Sequence, residues 1–204
     1  IERDAIMRTW YQRKSPMIIN KHRLSNHIRK RINKYEKEGR KVLVLDMESQ
    51  FAPTIQVIIT GNKYPFFVSG AAANMNPEVA VLKAMAEAEY ALYSLQKNHF
   101  DDVIPEQVSM PADHGSLYAS GKYISNIKWL MNGEVRDSLP KMNLTYSDLV
   151  KLLNPVVTEL IDDGTICVVR VFSSCCLPIN FGYKCDSIAH PVMNNINYNK
   201  ESVL

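Results

Sequence analysis

The sequence predicts an α+β fold in which helices pack against a mixed β-sheet. Three observations support this prediction: a long amphipathic helical pattern over residues 77–97, two β-rich runs just before it, and an apolar run over residues 165–172. Of the 204 residues, 46% are hydrophobic and 22% are charged, which is typical of a folded globular protein. We therefore expect a single domain over residues 1–204, with residues 192–204 forming a polar, mobile tail.

Two helices are predicted at the start of the chain. The first covers about residues 1–14 and ends before Pro16, because proline cannot continue a helix. The second begins after Ser25, a good N-cap, and runs to about Glu38, where Gly39 ends it.

Strands are predicted next. Residues 42–45 form an apolar run that is short enough for a buried strand. Residues 55–60 and 64–68 are β-rich, and the Gly-Asn-Lys sequence at 61–63 separates them, which predicts a β-hairpin. The small residues 69–75 are predicted to form a loop.

The most clearly defined element is the central helix over residues 77–97. Asn76 can cap its first turn, and Pro77 suits the first position because its missing N–H would have no partner there. Glu78 meets the positive end of the helix dipole. Apolar residues recur at the spacing that lines one helix face: Val81, Met85, Ala88, Leu92 and Leu95. We expect this face to lie in the core.

On the opposite face, a base, an acid and a phenol share one patch made of Lys83, Glu87, Tyr90 and Ser94. Charged outer faces are common on surface helices, so the spacing alone predicts a solvated surface.

Later in the chain, Ser147 is predicted to cap a helix that kinks at Asn154-Pro155 and resumes to Asp163. Gly164 then turns the chain into residues 165–172, the best candidate for a central strand.

Two further patterns favour no site. Asp113-His114 lacks a nucleophile at a diagnostic position, so the pair alone does not indicate catalysis. The cysteines show no CxxC spacing and no histidine at a metal-ligand distance, which argues against zinc binding and a redox motif: Cys167, Cys175, Cys176 and Cys185.

The net charge of +3 is unevenly distributed. Residues 1–41 carry 13 Lys and Arg against 4 Asp and Glu, whereas the rest of the chain carries 11 against 17. The positively charged amino-terminal part of the chain could therefore bind phosphate, an acidic peptide or nucleic acid. Nucleic-acid binding through residues 29–34 is disfavoured, because this helix lacks interleaved aromatic residues and a helix-turn-helix signature.

The sequence predicts no membrane association. No uncharged apolar run approaches the length needed to cross a bilayer, and the opening residues differ from a signal peptide. A cytoplasmic location is the resulting expectation.

Four segments carry a family resemblance. Glu2-Arg3-Asp4-Ala5, followed by Trp10, resembles the end of an ATP-site motif that contains ExxER. Residues 69–97 resemble a later motif in which small residues precede Pro-Glu and a helix. The other two segments are Asp113-His114 with Tyr118, and residues 169–191. In this order, the segments resemble the YcaO family, and within it the streptolysin-associated, SagD-like branch of peptide cyclodehydratases.

The resemblance implies an ATP-dependent reaction on a peptide backbone. Members of the family form azoline rings by phosphorylating an amide oxygen after a Cys, Ser or Thr side chain has attacked the amide. Glu2 would then be a magnesium-binding acid and Arg3 its basic neighbour. Lys83 would contact phosphate, and Glu87 would orient Lys83.

The resemblance also implies two partners, a precursor peptide and a leader-binding protein. A homodimer is compatible with the sequence. Because the chain opens without Met inside a helical pattern, we expect a carboxyl-terminal half of a YcaO domain. ATP and magnesium would then bind the full-length parent and not this part alone. Whether the chain is itself an enzyme stays open, and the alternative is a non-catalytic scaffold that binds a peptide or partner through its basic front.

Overall fold

A five-stranded mixed sheet forms the centre of the structure, a computed structural model that describes residues 1–98, 103–142 and 144–178. The predicted fold class, a mixed sheet with packed helices, is confirmed. The elements are α1 (Glu2–Gln12), β1 (Met17–Ile19), α2 (Asn26–Lys37), β2 (Lys41–Asp46), β3 (Thr54–Thr60), β4 (Phe67–Ala73), α3 (Pro77–Lys97), α4 (Pro111–Ala119), β5 (Val135–Arg136), α5 (Tyr146–Leu153), β6 (Val156–Asp162) and β7 (Cys167–Phe172).

The strands of this sheet follow the order β4-β3-β2-β1-β5. All neighbouring pairs are antiparallel except β1 and β5, which are parallel. Strand β4 therefore lies at one edge, and within the described part of the chain it pairs only with β3.

Helices cover both faces of the sheet. Side chains alternate along a strand, so Val42 and Val44 of β2 point to one face while Leu43 and Leu45 point to the other. The first face packs against α2 and α3. The second packs against α1 and the 3₁₀ helix Ile124–Met131, where the rings of Trp10 and Trp129 lie 5.8 Å apart.

Several predicted elements are present. Both amino-terminal helices, the strand over 42–45 and the first strand of the hairpin occur where the sequence indicates them, whereas the second strand covers residues 67–73 rather than 64–68. Asn76 caps α3 by accepting hydrogen bonds from the backbone N–H groups of Glu78 and Val79, at 3.0 and 3.4 Å. The whole predicted apolar stripe of α3 is buried.

The prediction of a loop at residues 69–75 is wrong for residues 69–73, which belong to β4. Small residues have weak strand propensity, but here each of them pairs in register with β3, from Ser69 opposite Ile58 to Ala73 opposite Thr54. Pairing and the packing of α3 against these residues override the local preference.

The carboxyl-terminal prediction is also wrong in part. Helix α5 is capped by Thr145 rather than Ser147, and it ends at Asn154, which adopts a left-handed conformation. The chain then continues as β6 and not as a resumed helix. The β-branched residues after Pro155 favour this strand.

Strand β7 is not central in the described structure. It pairs with β6 alone, in an antiparallel ribbon separate from the main sheet. Both faces of this ribbon are exposed, although its large side chains are mostly apolar: Val156, Val157, Leu160, Ile161, Val168, Val169, Val171 and Phe172.

The sequence-based prediction missed α4, the 3₁₀ helix Ile124–Met131 and the short strands β1 and β5. Gly115 lies inside α4 and obscured its pattern. The predicted tail at 192–204 lies outside the described residues. Within those residues, no helix combines the length and the apolar character needed to cross a bilayer.

Candidate functional site

Helix α3 approaches the edge strand β4 very closely. Gly70 makes this approach feasible, because a Cβ atom at this position would lie 2.3 Å from the backbone nitrogen of Ala88 and 2.5 Å from the carbonyl oxygen of Ala84. Such distances are far below van der Waals contact, so only glycine fits here without movement of α3. This close contact holds α3 against β4, the edge strand of the sheet.

Glu87 reaches from α3 to the edge of β4. Its carboxylate accepts a hydrogen bond from the backbone N–H of Ala71, with 2.7 Å between nitrogen and Oε2. The side chain is thus fixed at a strand edge that would otherwise present an unpaired donor.

Glu2, in the first turn of α1, lies within electrostatic reach of Glu87. Burial raises the pKa of the Glu2 carboxyl above its usual value, Arg3 lowers it, and the charge of Glu87 raises it again. Arg3 contacts Glu2 directly, with 3.3 Å between Nε and Oε1. Two acids from elements far apart in sequence therefore meet beside β4, with one cation next to them.

A buried carboxylate holds this end of α1 in place. Asp4 accepts hydrogen bonds from Arg8 Nε at 2.8 Å and from the backbone N–H of Leu177 at 2.7 Å. Arg8 also donates to the carbonyl oxygen of Cys175, at 3.2 Å. These bonds tie α1 to the segment after β7 and so fix the position of Glu2.

Lys83 lies one turn before Glu87 on the exposed side of α3. Its ammonium forms no hydrogen bond or ion pair with any residue in the described ranges. The structure pairs Glu87 with Ala71 rather than with Lys83. Of the residues expected from the sequence, Glu2, Arg3 and Glu87 thus come together, whereas Lys83 lies one helical turn from Glu87 without an ion pair to any described residue. Tyr90, the phenol of the same patch, is exposed.

Asp113, the acid of the Asp113-His114 pair, has a structural role. Asp113 accepts hydrogen bonds from the backbone N–H groups of Ser109 and Met110 at the start of α4, at 2.9 and 3.0 Å. These bonds lower the pKa of the Asp113 carboxyl. The role of Asp113 is to cap a helix.

A second group of potential metal ligands lies on the ribbon. Glu159, Asp162 and Cys167 place one ligand atom each within 4.8 Å of one another. All three side chains are exposed, and exposed acids commonly lie this close without an ion. No local sequence pattern marks this group, since the strand register and a bulge near Leu160 bring its members together.

The model of one protein family, described as "YcaO cyclodehydratase", ATP- and Mg²⁺-binding, matches residues 1–172. The chain belongs to the YcaO family. A comparison with proteins of curated function gave no significant match.

Solved structures agree with this YcaO assignment at the level of the fold. The heterocyclase TruD aligns with a TM-score of 0.67 and 15% identity, over 98% of this chain and 30% of TruD. YcaO from Methanopyrus kandleri, bound with AMPPCP and Mg²⁺, aligns with a TM-score of 0.63 and 15% identity, over 98% of this chain and 52% of that one. The E. coli microcin synthetase McbBCD complex with pro-MccB17 bound aligns with a TM-score of 0.58 and 16% identity, over 84% of this chain and 48% of the matched chain.

This chain therefore spans about half or less of the length of these structures. The group of residues around β4 fits the cofactors in the YcaO family description. Carboxylate oxygens such as those of Glu2 and Glu87 are the ligands that Mg²⁺ prefers, and Arg3 and Lys83 offer positive charge to phosphate. Burial is the main cause of the raised pKa of Glu2, and the charge of Glu87 adds to it, so a cation between the two acids would favour their charged forms.

We expect Glu87→Gln to lower the pKa of Glu2 in this YcaO chain. The substitution removes the neighbouring negative charge, while the amide oxygen can still accept from Ala71. Carbon-13 NMR titration of the Glu2 carboxyl measures the effect. Glu78→Gln, in the first turn of α3, is the matched control and should leave the Glu2 titration unchanged. An unchanged pKa in Glu87→Gln would show that the acids do not interact.

Proposed function

We propose that this chain is the carboxyl-terminal half of an ATP-dependent YcaO enzyme that forms azoline rings in a ribosomal peptide. The observation that carries the proposal is the meeting of Glu2, Arg3 and Glu87 at the edge of β4. The family description, which includes ATP and Mg²⁺, supports it. Assignment to the SagD-like branch rests on the sequence resemblance.

In this proposal, each side chain has a role set by its charge. Glu2 binds magnesium, and Arg3 orients Glu2 and meets a phosphate oxygen. Lys83 contacts phosphate through its free ammonium, and Glu87 adds negative charge on the metal side of the site. Bound Mg²⁺ would neutralise charge on the phosphates during transfer.

The proposed chemistry requires mainly positioning. A Cys, Ser or Thr side chain of the precursor peptide attacks the preceding backbone amide, and the amide oxygen then takes the terminal phosphoryl group of ATP. Loss of phosphate, together with the amide proton, then forms the C=N bond of the azoline, so the peptide loses one water per ring and ATP becomes ADP and phosphate. Phosphoryl transfer needs little covalent help from the protein, which suits a site made only of acids and cations.

Substitutions in the full-length protein, assayed with its leader-binding partner and precursor peptide, test the proposal. We expect Glu2→Gln and Lys83→Met each to slow ATP-dependent loss of water from the peptide by at least roughly 100-fold, because each removes a charge that the transition state needs. Mass spectrometry of the peptide and ADP release measure the rates. Glu106→Gln and Lys128→Met change exposed charges outside the site and should retain activity. An intact protein that neither uses ATP nor alters the peptide would end the proposal.

One observation favours a second candidate, a non-catalytic module that binds an acidic peptide or partner. On the outer face of α2, Lys30, Lys34 and Lys37 are exposed and form no ion pair with a described residue. By contrast, Lys21 on the same side of the molecule pairs with Glu36. This candidate predicts salt-sensitive peptide binding that does not depend on nucleotide.

A further inference from the structure

The outer edge of β4 presents backbone groups in a regular pattern. The hairpin register pairs Ala71 with Gln56, and Gly61 donates to the carbonyl oxygen of Phe66 at 3.1 Å. In an antiparallel pair, alternate residues direct their N–H and C=O groups toward the partner strand. Counted from Gly61 and Phe66, the inward residues of β4 include Gly70, and the outward ones are Phe67, Ser69, Ala71 and Ala73.

The structure shows what one of these outward positions accepts. The N–H of Ala71 donates to the carboxylate of Glu87, which stands where a carbonyl oxygen of a neighbouring strand would lie. Neither Ser69 N–H nor Ala73 N–H has an acceptor among the residues that the structure describes, and both residues are only half-buried. The edge thus presents N–H groups without an acceptor in the described residues at Ser69 and Ala73, and a side chain occupies the position between them at Ala71.

We propose that the outer edge of β4 binds the peptide substrate as an added β-strand and that the peptide displaces the Glu87 carboxylate from Ala71. The inference rests on the proposed function, since it assigns the substrate of the same site. The proposed ligand is an extended polypeptide, because hydrogen-bond donors and acceptors alternate along the edge of β4 and repeat at roughly 7 Å per two residues. Ala73 is half-buried and Ala71 is buried beside Glu87, so an added strand would also displace the Glu87 side chain from Ala71.

Strand addition would place a backbone amide where the proposed reaction needs it. The backbone N–H of Ala71 donates a hydrogen bond to Glu87, and the charge of Glu87 raises the pKa of Glu2. A peptide paired with β4 therefore runs directly past the acids proposed to hold magnesium. Displacement also releases Glu87 toward Glu2, so peptide binding and cation binding would support each other.

Amide hydrogen exchange on this chain tests the pairing. The probe is a short peptide of alternating Thr and Val residues with one central Cys. We expect the amides of Ser69 and Ala73 to exchange rapidly without the peptide and to slow by at least about 10-fold when it binds. Gly70, which already pairs with β3, should change little. Unchanged exchange at Ser69 and Ala73 under saturating peptide would overturn the inference, and so would protection that rises with protein concentration alone, because it would indicate a second copy at this edge.

Modified peptides give an independent signature. Backbone N-methylation at successive positions of the probe should weaken binding at every second residue only, since one side of an added strand faces β4. A uniform effect, or none, would contradict strand addition.

Variants separate this inference from the proposed function. Ser69→Pro removes one outward N–H while the inward ladder to β3 remains, and it should weaken peptide binding by about 10-fold relative to Ser69→Ala. Glu87→Ala removes the competing carboxylate and should strengthen peptide binding up to about 10-fold. If these shifts occur while the full-length protein shows no ATP-dependent activity, only the proposed function fails. If the activity is present and the shifts are absent, only strand addition fails.

Discussion

Gly70→Ala should destabilise the protein by at least about 3 kcal/mol, because overpacking against rigid backbone is among the costlier core changes. The new methyl group would lie 2.3 Å from the backbone nitrogen of Ala88 and 2.7 Å from Cβ of Glu87. Two of its three nearest neighbours are helix backbone atoms, so the whole of α3 must shift. This shift would also break the bond between Glu87 and Ala71. Urea denaturation measures the loss.

Gly115→Ala is the matched control for this substitution. Gly115 lies inside α4, and a Cβ atom there would meet no atom within 4 Å. Alanine favours a helix over glycine, so this variant should gain about 0.5–1 kcal/mol. Equal and small effects for the two variants would show that α3 does not press against β4.

Asp4→Ala should cost about 3–5 kcal/mol, the usual penalty for removing one partner of a buried ion pair. Asp4 is only 2% exposed, and it accepts from both Arg8 and the backbone of Leu177. Without it, a partly buried guanidinium loses its carboxylate, and the Leu177 N–H loses its acceptor. Thermal or urea denaturation measures the change.

A double substitution identifies the cause. Asp4→Ala together with Arg8→Met should recover part of the loss, since no buried charge is then left without a partner. Asp137→Ala, which removes an exposed partner of Arg23, should have little effect. A double variant no more stable than Asp4→Ala would mean that the backbone bond to Leu177 dominates.

The central helix could be predicted from the sequence because its signals are local. The cap at Asn76, the proline at the first position and the apolar stripe all lie within the helix or one residue before it. Such signals act without help from distant parts of the chain. The hairpin also joins adjacent segments, but its second strand covers residues 67–73 rather than the predicted 64–68.

Other features depend on contacts between distant residues. The small residues of β4 form a strand because β3 and α3 pack on them. The buried carboxylate of Asp46 pairs with Arg136, 90 residues away, and no local pattern in the sequence marks either residue. For the same reason, spacing could not reveal that Glu2 meets Glu87, and only the family resemblance suggested these two residues together.

The separation of the β6–β7 ribbon from the main sheet affects how unfolding can be observed. A two-stranded hairpin is only marginally stable by itself in water, so the ribbon can open as a local unit while the five-stranded sheet stays intact. Both tryptophans, Trp10 and Trp129, pack against the main sheet, whereas circular dichroism also registers the ribbon. Fluorescence and circular dichroism should therefore give transitions at different urea concentrations, and a single two-state free energy applies only to the transition seen by fluorescence.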